Sequence, residues 1–251
     1  MTTESELHGA VERHEIVPYF QPQIDVDSGR VVAVEALARW QHPSRGMVLP
    51  AEFIPAAEHS GDITEIGAFM LQEGCHHAAR WHSCGITVGV SVNVSALQLA
   101  SSDFFHQLRE LLVEYVLPAG TLTIEITESQ LISDHDTVAA RLRQLRAFGL
   151  GISLDDFGTG RSSLSQFRDL PITELKIDRL LVQDGAHDDA LIAVAVDLLR
   201  ERGVRVVAEG VETAEHLERV QELHCDRAQG FLLGRPMPVD DVDVVLAQAF
   251  A

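Results

Sequence analysis

The sequence predicts an α/β fold, a TIM-like (β/α)8 barrel with an irregular first strand, and three observations carry that prediction. Short runs rich in Val, Ile and Leu alternate with helix-length amphipathic stretches along most of the chain. Each strand–helix pair takes roughly 30 residues, the size of one βα unit. The 251 residues are 46% hydrophobic, enough for one such barrel, and no linker, low-complexity tract or composition shift divides them. The reading is a single domain over residues 1–251.

The elements follow in order. Residues 16–23 and 31–38 read as strands separated only by 24–30, where Asp25, Asp27, Ser28 and Gly29 are turn formers. That gap is too short for a crossover helix, so the pair is expected to be an antiparallel hairpin. Helices are expected over 50–59 and 63–82, stopping at Gly85, before a Val-rich strand at 87–94. Then come a helix at 102–115, a strand at 122–127, and a helix at 134–148 capped by Gly149. A strand at 152–157 leads to a helix at 162–168, and a strand at 173–177 to a helix at 188–202. Strands at 204–208 and 227–231 precede helices at 213–223 and 239–250. The strands read as apolar runs with little alternation, as in a parallel sheet buried on both faces. A doubly wound open sheet is disfavoured because no Gly-rich phosphate loop follows the early strands.

Charge narrows the function. Lys and Arg total 19 against 38 Asp and Glu, a net charge of −19. Such acidity argues against DNA, RNA or an anionic membrane as partner, and leaves room for a small anion held through metal ions. Residues 1–15 lack an apolar signal core, and no run of about 18 apolar residues appears, so a soluble cytoplasmic protein is expected. Cys75, Cys84 and Cys225 form no CxxC pair, which suits a reducing compartment. Lys176 is the single lysine.

In a barrel the chemistry collects at the C-terminal ends of the strands. There the sequence places Glu35, Arg39, Asn93, Glu125, Asp155, Asp156, Lys176, Glu209 and Gln229. Any one acidic residue at a strand end is ordinarily a cap or solvated. Four carboxylate positions and an Asn within Val/Ile/Leu-rich strands are different, because buried like charges require cations. Oxygen donors of this kind select Mg2+ or Mn2+. Adjacent Asp155 and Asp156 can serve two ions, the usual arrangement for phosphodiester hydrolysis. Beside two cations Lys176 is expected to have a lowered pKa and to act as a base; the plainer alternative is a counter-ion. The cluster Cys75, His76, His77, His82 and Cys84 is read as surface and core, not as a metal site. Asp240, Asp241 and Asp243 open the last helix, where they favour its dipole. Gly158, Gly160 and Ser162 are read as a mobile loop.

Eight short motifs in one order resemble those of the EAL domains, bacterial cyclic di-GMP phosphodiesterases. Glu35-Ala36-Leu37 followed by Arg39 is similar to the name-giving motif. Phe20-Gln21-Pro22, Ser91 to Ser95, Glu125 to Glu128, Asp155 to Gly160, Leu175 to Asp178, Ala208 to Glu212 and Gln229 to Phe231 resemble the rest, over about residues 14–248. The resemblance implies a barrel with an antiparallel first strand and hydrolysis of cyclic di-GMP to linear pGpG by two Mg2+ or Mn2+ ions, with Ca2+ binding but inhibiting. By position, Glu35, Asn93, Glu125 and Asp155 would hold one ion, and Asp155 and Asp156 the other, with Glu209 helping through water. Lys176 would orient or deprotonate the attacking water and Gln229 would support it. Gln21 and Arg39 would grip the phosphate, and Glu212 would touch substrate. Glu128 would pin the loop after Asp156, which would couple the site to a homodimer interface. Arg161 and Asp62 depart from the family pattern without removing a ligand. Two other readings remain at this stage: an EAL receptor that binds cyclic di-GMP without cutting it, and a Schiff-base aldolase using Lys176.

Overall fold

The computed structural model describes residues 4–127, 135–157, 170–183 and 189–250. After a short helix α1 (Glu4–Leu7), strands β1 (Ile16–Asp25) and β2 (Val31–His42) form the expected hairpin. Its turn is built locally: Asp25 Oδ1 accepts from the Ser28 amide and hydroxyl, and the Gly29 amide donates to the Asp25 carbonyl. A short β3 (Gly46–Val48) extends β2, and helices α2 (Pro50–Ser60) and α3 (Ile63–Ser83) follow.

The remaining elements alternate: β4 (Gly89–Asn93), α4 (Ala96–Ala100) and α5 (Ser102–Tyr115), then β5 (Leu122–Thr127) and α6 (His135–Ala147). Next come β6 (Gly151–Phe157), β7 (Glu174–Ile177), α7 (Arg179–Gln183) and α8 (Asp189–Arg200). The chain closes with β8 (Arg205–Ala208), α9 (Ala214–Glu222), β9 (Arg227–Gln229), β10 (Met237–Pro238) and α10 (Val239–Ala249). The expected helix at 162–168 lies outside the described residues. Gly149 takes φ +84 past the end of α6, a left-handed conformation suited to glycine.

Eight strands close the barrel. Pairings from β2 through β4, β5, β6, β7, β8 and β9 are all parallel. β1 seals the gap by pairing antiparallel to both β2 and β9. The antiparallel first strand is therefore present, and its cause is the short turn after Asp25.

The interior corrects one expectation. The strands are not apolar on both faces; they alternate. Asn93, Glu125, Ser153, Glu174 and Arg205 are register partners across five neighbouring strands, so they share one face, the lumen. Val92, Ile124, Leu154, Leu175 and Val206 face outward and are buried beneath helices. One such contact is close: a Cβ on Gly74 of α3 would lie 2.7 Å from Val92 Cγ2. A barrel lumen is ordinarily packed with branched aliphatics. Here it holds Gln23, Glu125, Ser153, Glu174 and Lys176, none more than 1% exposed. Glu174 closes its lower end, with Oε2 2.9 Å from Arg205 and 3.4 Å from Arg227.

Other placements refine the sequence reading. Asp240 and Asp241 lie in the first turn of α10, but Asp243 instead binds α3. Its Oδ1 accepts from Arg80 Nη2 at 2.6 Å and from Trp81 Nε1 at 2.7 Å. Cys75 is buried, which pushes its thiol up to about 12, and His77 packs edge-on to Phe20. These are core contacts, as expected. Among the described residues no helix is long and apolar enough to cross a membrane.

Candidate active site

The barrel mouth is organised around Lys176. Its Nζ lies 2.7 Å from Glu209, 2.9 Å from Glu125, 3.2 Å from Glu35 and 3.5 Å from Asp155. Each group comes from a different strand end: β8, β5, β2 and β6 deliver the carboxylates and β7 the ammonium. Parallel register does the work, because equivalent inward positions on neighbouring strands converge on the axis. Lys176 and Glu125 are essentially inaccessible to solvent.

A web of amides fixes Glu35. Asn93 Nδ2 donates to its Oε1 at 2.8 Å, and Gln229 Nε2 to its Oε2 at 2.8 Å. Gln229 Nε2 also reaches Gln21 Oε1 at 3.0 Å, and Gln21 Nε2 donates to the Gly234 carbonyl. Gln23, not anticipated from the sequence, donates to Gln229 Oε1 at 2.9 Å.

Charge is unevenly balanced. Burial raises the Glu125 carboxyl well above its usual range, and Glu35 and Asp155 add to this against the pull of Lys176. Burial likewise raises Asp155, and it pushes Glu209 up to about 8. Burial also works on Glu35, but there Lys176, Gln229 and Asn93 prevail and hold it below its ordinary value. Burial alone would discharge Lys176, yet the surrounding carboxylates outweigh it and keep the ammonium protonated well above its ordinary value. The lowered pKa expected from the sequence belongs to an ammonium beside two cations; the surrounding carboxyl groups by themselves act in the opposite direction.

Asp155 and Asp156 separate at a break in the β6–β7 ladder, between Leu154 and Phe157. Asp156 has φ +63, uncommon for a non-glycine residue, and its amide donates to Asp155 Oδ1 at 2.9 Å. The turn sends the two carboxylates to different sides of the mouth, Asp155 to one cavity and Asp156 to another, each of about 330 Å3. Glu35, Asn93, Glu125 and Asp155 line the first cavity, whose far wall is apolar through Ile54, Ile66 and Met70. Gln21, Asp156, Glu209, Glu212 and Gln229 line the second, with Asp178 and Phe231.

The structure thus brings together Gln21, Glu35, Asn93, Glu125, Asp155, Asp156, Lys176, Glu209, Glu212 and Gln229. Arg39 stands apart: it is buried further along β2, donates to the Ala38 carbonyl and sits over the Tyr19 ring at 5.5 Å. Glu128, Gly158, Gly160, Arg161 and Ser162 lie outside the described residues. Asp62 is at the α2–α3 corner, where it accepts from Ser60 Oγ and pairs with His8. The sequence reading left out Gln98, which lines the first cavity. Its signal was the Ser95–Gln98 capping box that opens α4. Asp178 and Phe231, on the wall of the second cavity, belong to the motifs at 175–178 and 229–231.

Comparison with known proteins follows the same lines. Residues 4–236 match the sequence profile of the EAL domain. The bifunctional diguanylate cyclase/cyclic di-GMP phosphodiesterase MucR of Pseudomonas aeruginosa is 42% identical over 241 residues, 94% of this chain and 35% of that protein. The oxygen sensor protein DosP of Escherichia coli is 38% identical over 241 residues, 94% of this chain and 30% of that protein. The chain therefore spans about a third of the length of these curated relatives. Among solved structures, the MucR phosphodiesterase in its c-di-GMP complex superposes with a TM-score of 0.89 at 41% identity, covering 95% of this chain and 98% of that one. The EAL domain of Mycobacterium smegmatis DcpA gives 0.79 at 32% identity, over 94% of this chain and 99% of that one.

Proposed function

The chain belongs to the EAL domain family, and on that premise we propose that it hydrolyses cyclic di-GMP to linear pGpG with two divalent cations, Mg2+ or Mn2+. The observation that carries this reading is the group of four carboxylates, Glu35 and Glu125 buried and Asp155 and Glu209 half-buried, gathered about one buried ammonium.

The donors fit a hard cation. Glu125 Oε1 is buried with no hydrogen-bond partner, a costly arrangement that a cation would relieve. The set is all oxygen, which suits Mg2+ or Mn2+. Among the described residues no group of three or more acidic, His or Cys side chains is already spaced to hold a metal ion. The Lys176 ammonium stands at their centre of charge instead. Glu35, Asn93, Glu125 and Asp155 would hold one ion, and Asp155 with Asp156 the other. Bound there, such ions supply Lewis acidity and a water that deprotonates near neutral pH.

The chain's own residues do the rest. Hydrolysis adds one water across one phosphodiester bond and opens the ring. Gln21 and Glu212, on the wall of the second cavity, bind the substrate, and Arg39 joins them only if its side chain leaves Tyr19. Lys176 donates N–H bonds that orient the attacking water and keep the carboxylates from repelling one another. Gln229 and Glu209 border that water's position. Glu128 and the loop after Asp156 would link the site to a second copy in a homodimer. The free cysteines suit a reducing, cytoplasmic setting.

The test is incubation of the purified chain with cyclic di-GMP and Mg2+ or Mn2+, with and without EDTA, followed by product chromatography. Linear pGpG that disappears with EDTA is expected. Binding without product would make the protein a receptor, and product formed equally in EDTA would remove the metal reading.

A further inference from the structure

We propose that Gln23 is a positioning residue for the Glu35 carboxylate, acting through Gln229; the proposal rests on Glu35 being a cation ligand, as read above. Gln23 is wholly buried on β1 and in register with Gln229 on β9. Its Nε2 donates to Gln229 Oε1 at 2.9 Å. A primary amide carries its oxygen on one side and its NH2 on the other, so fixing the oxygen fixes where the NH2 points.

Gln229 Nε2 is thereby aimed at Glu35 Oε2 and Gln21 Oε1, 2.8 Å and 3.0 Å away. Turned over, the Gln229 amide would set its oxygen against both acceptors. Gln21 is itself oriented, since its Nε2 is spent on the Gly234 carbonyl. Ala33, across β2 from Gln23, has no polar side-chain atom that could replace the donor. The relay therefore runs Gln23 to Gln229 to Glu35, and it sets which way the Glu35 lone pairs face. Groups one step behind a metal ligand typically change affinity or activity by about 10- to 100-fold.

The experiment is calorimetric titration of Mn2+ into the full chain as wild type, Gln23→Leu, Gln229→Ala and the double variant. Gln23→Leu deletes one buried oxygen without a partner, Gln23 Oε1, but leaves Gln229 Oε1 without its donor, so a modestly lowered melting temperature is expected and Mn2+ binding is read in the folded variant. Should Leu unfold the chain, the unbranched Gln23→Met makes the same deletion. The expected result is Mn2+ binding weakened roughly tenfold by the Gln23 variant, with no further loss when it is added to Gln229→Ala. With cyclic di-GMP, kcat should fall while KM changes little. Wild-type Mn2+ affinity in a folded Gln23 variant, or losses that simply add in the double, would overturn the role of Gln23 alone. No Mn2+ binding by the wild type would instead defeat the metal reading and the proposal with it.

Discussion

Lys176 Nζ and Glu125 Oε2 lie 2.9 Å apart at the axis of the barrel, and the other oxygen of that carboxylate meets no donor. Glu125 is thus held on one side and open on the other, in a place where water does not reach. One ammonium would not balance Glu35, Glu125, Asp155 and Glu209 with all four ionised, and three of them are raised accordingly. That competition between burial, mutual repulsion and the ammonium sets how the site should respond to substitution, to pH and to added cations.

Asp155 sits beside both the Lys176 centre and Asp156, so under the proposed two-ion reading its loss should damage both ion positions. Asp155→Asn keeps the shape and removes the charge. Turnover of cyclic di-GMP should fall roughly 10³-fold or more, about 4 kcal/mol of barrel-mouth stabilisation in the transition state. The check is a steady-state assay at saturating Mn2+; near-normal kcat would remove the bridging role.

Burial pushes the Glu209 carboxyl up to about 8 from its ordinary 4.5. A raised acid binds its proton more tightly folded than unfolded. Its contribution to stability is therefore present below about 4.5 and is lost as pH rises through about 8. Glu125 and Asp155 are raised too and act in the same direction. The metal-free protein should accordingly lose stability from this site between mildly acid and mildly alkaline pH. Mn2+, which binds the deprotonated ligands, should raise the melting temperature more at pH 8 than at pH 5. Scanning calorimetry at both values, with and without Mn2+, decides it; an equal or larger rise at pH 5 would contradict the assignment.

Asp243 joins the first long helix to the last. It accepts from Arg80 and from Trp81 Nε1, and removing it strands an indole N–H that is mostly buried. Asp243→Ala should cost roughly 1–3 kcal/mol of stability, the usual penalty for an unpaired buried donor. Arg80→Ala, which leaves the Trp81 bond intact, should cost less. Urea unfolding of both variants tests the order, and an equal cost would show that the Trp81 bond contributes nothing.

Much of this was legible because the relevant signals are local. The Asp25–Gly29 turn forced the hairpin, and Gly149 marked the end of α6. The polar residues at strand ends could be placed on one rim because parallel register carries position from strand to strand. The polar lumen was misread. In Val90-Ser91-Val92-Asn93 and Ile124-Glu125-Ile126 the alternation is present, but each run is too short to separate a polar lumen from a buried sheet. Gln23 was missed because its role depends on closure between β1 and β9, residues some two hundred positions apart. The balance at Lys176 without ions could not be read from the sequence, because burial and four carboxyl groups act in opposite directions and only distances decide between them. Asp243 looked like a helix-dipole residue because its partners lie on a helix far away in sequence.

Lys176→Arg separates charge balance from chemistry. Both side chains are cationic, but Arg spreads its charge over a planar fork and does not deprotonate in proteins. The Lys176 ammonium presents compact donors to Glu209, Glu125, Glu35 and Asp155 within 3.5 Å. If its role were only to offset those carboxylates, Arg should serve, as Arg does at the other basic positions of this chain. If it orients or deprotonates the attacking water, kcat should drop by about 10²-fold or more, the scale of losing a positioned acid–base group. Substrate affinity measured in Ca2+ should survive, since Gln21, Glu212 and the carboxylates proposed to hold the ions lie on other elements. A melting temperature close to wild type would show that the larger guanidinium fits the buried position. In a folded variant, kcat within about threefold of wild type would assign Lys176 to charge balance alone.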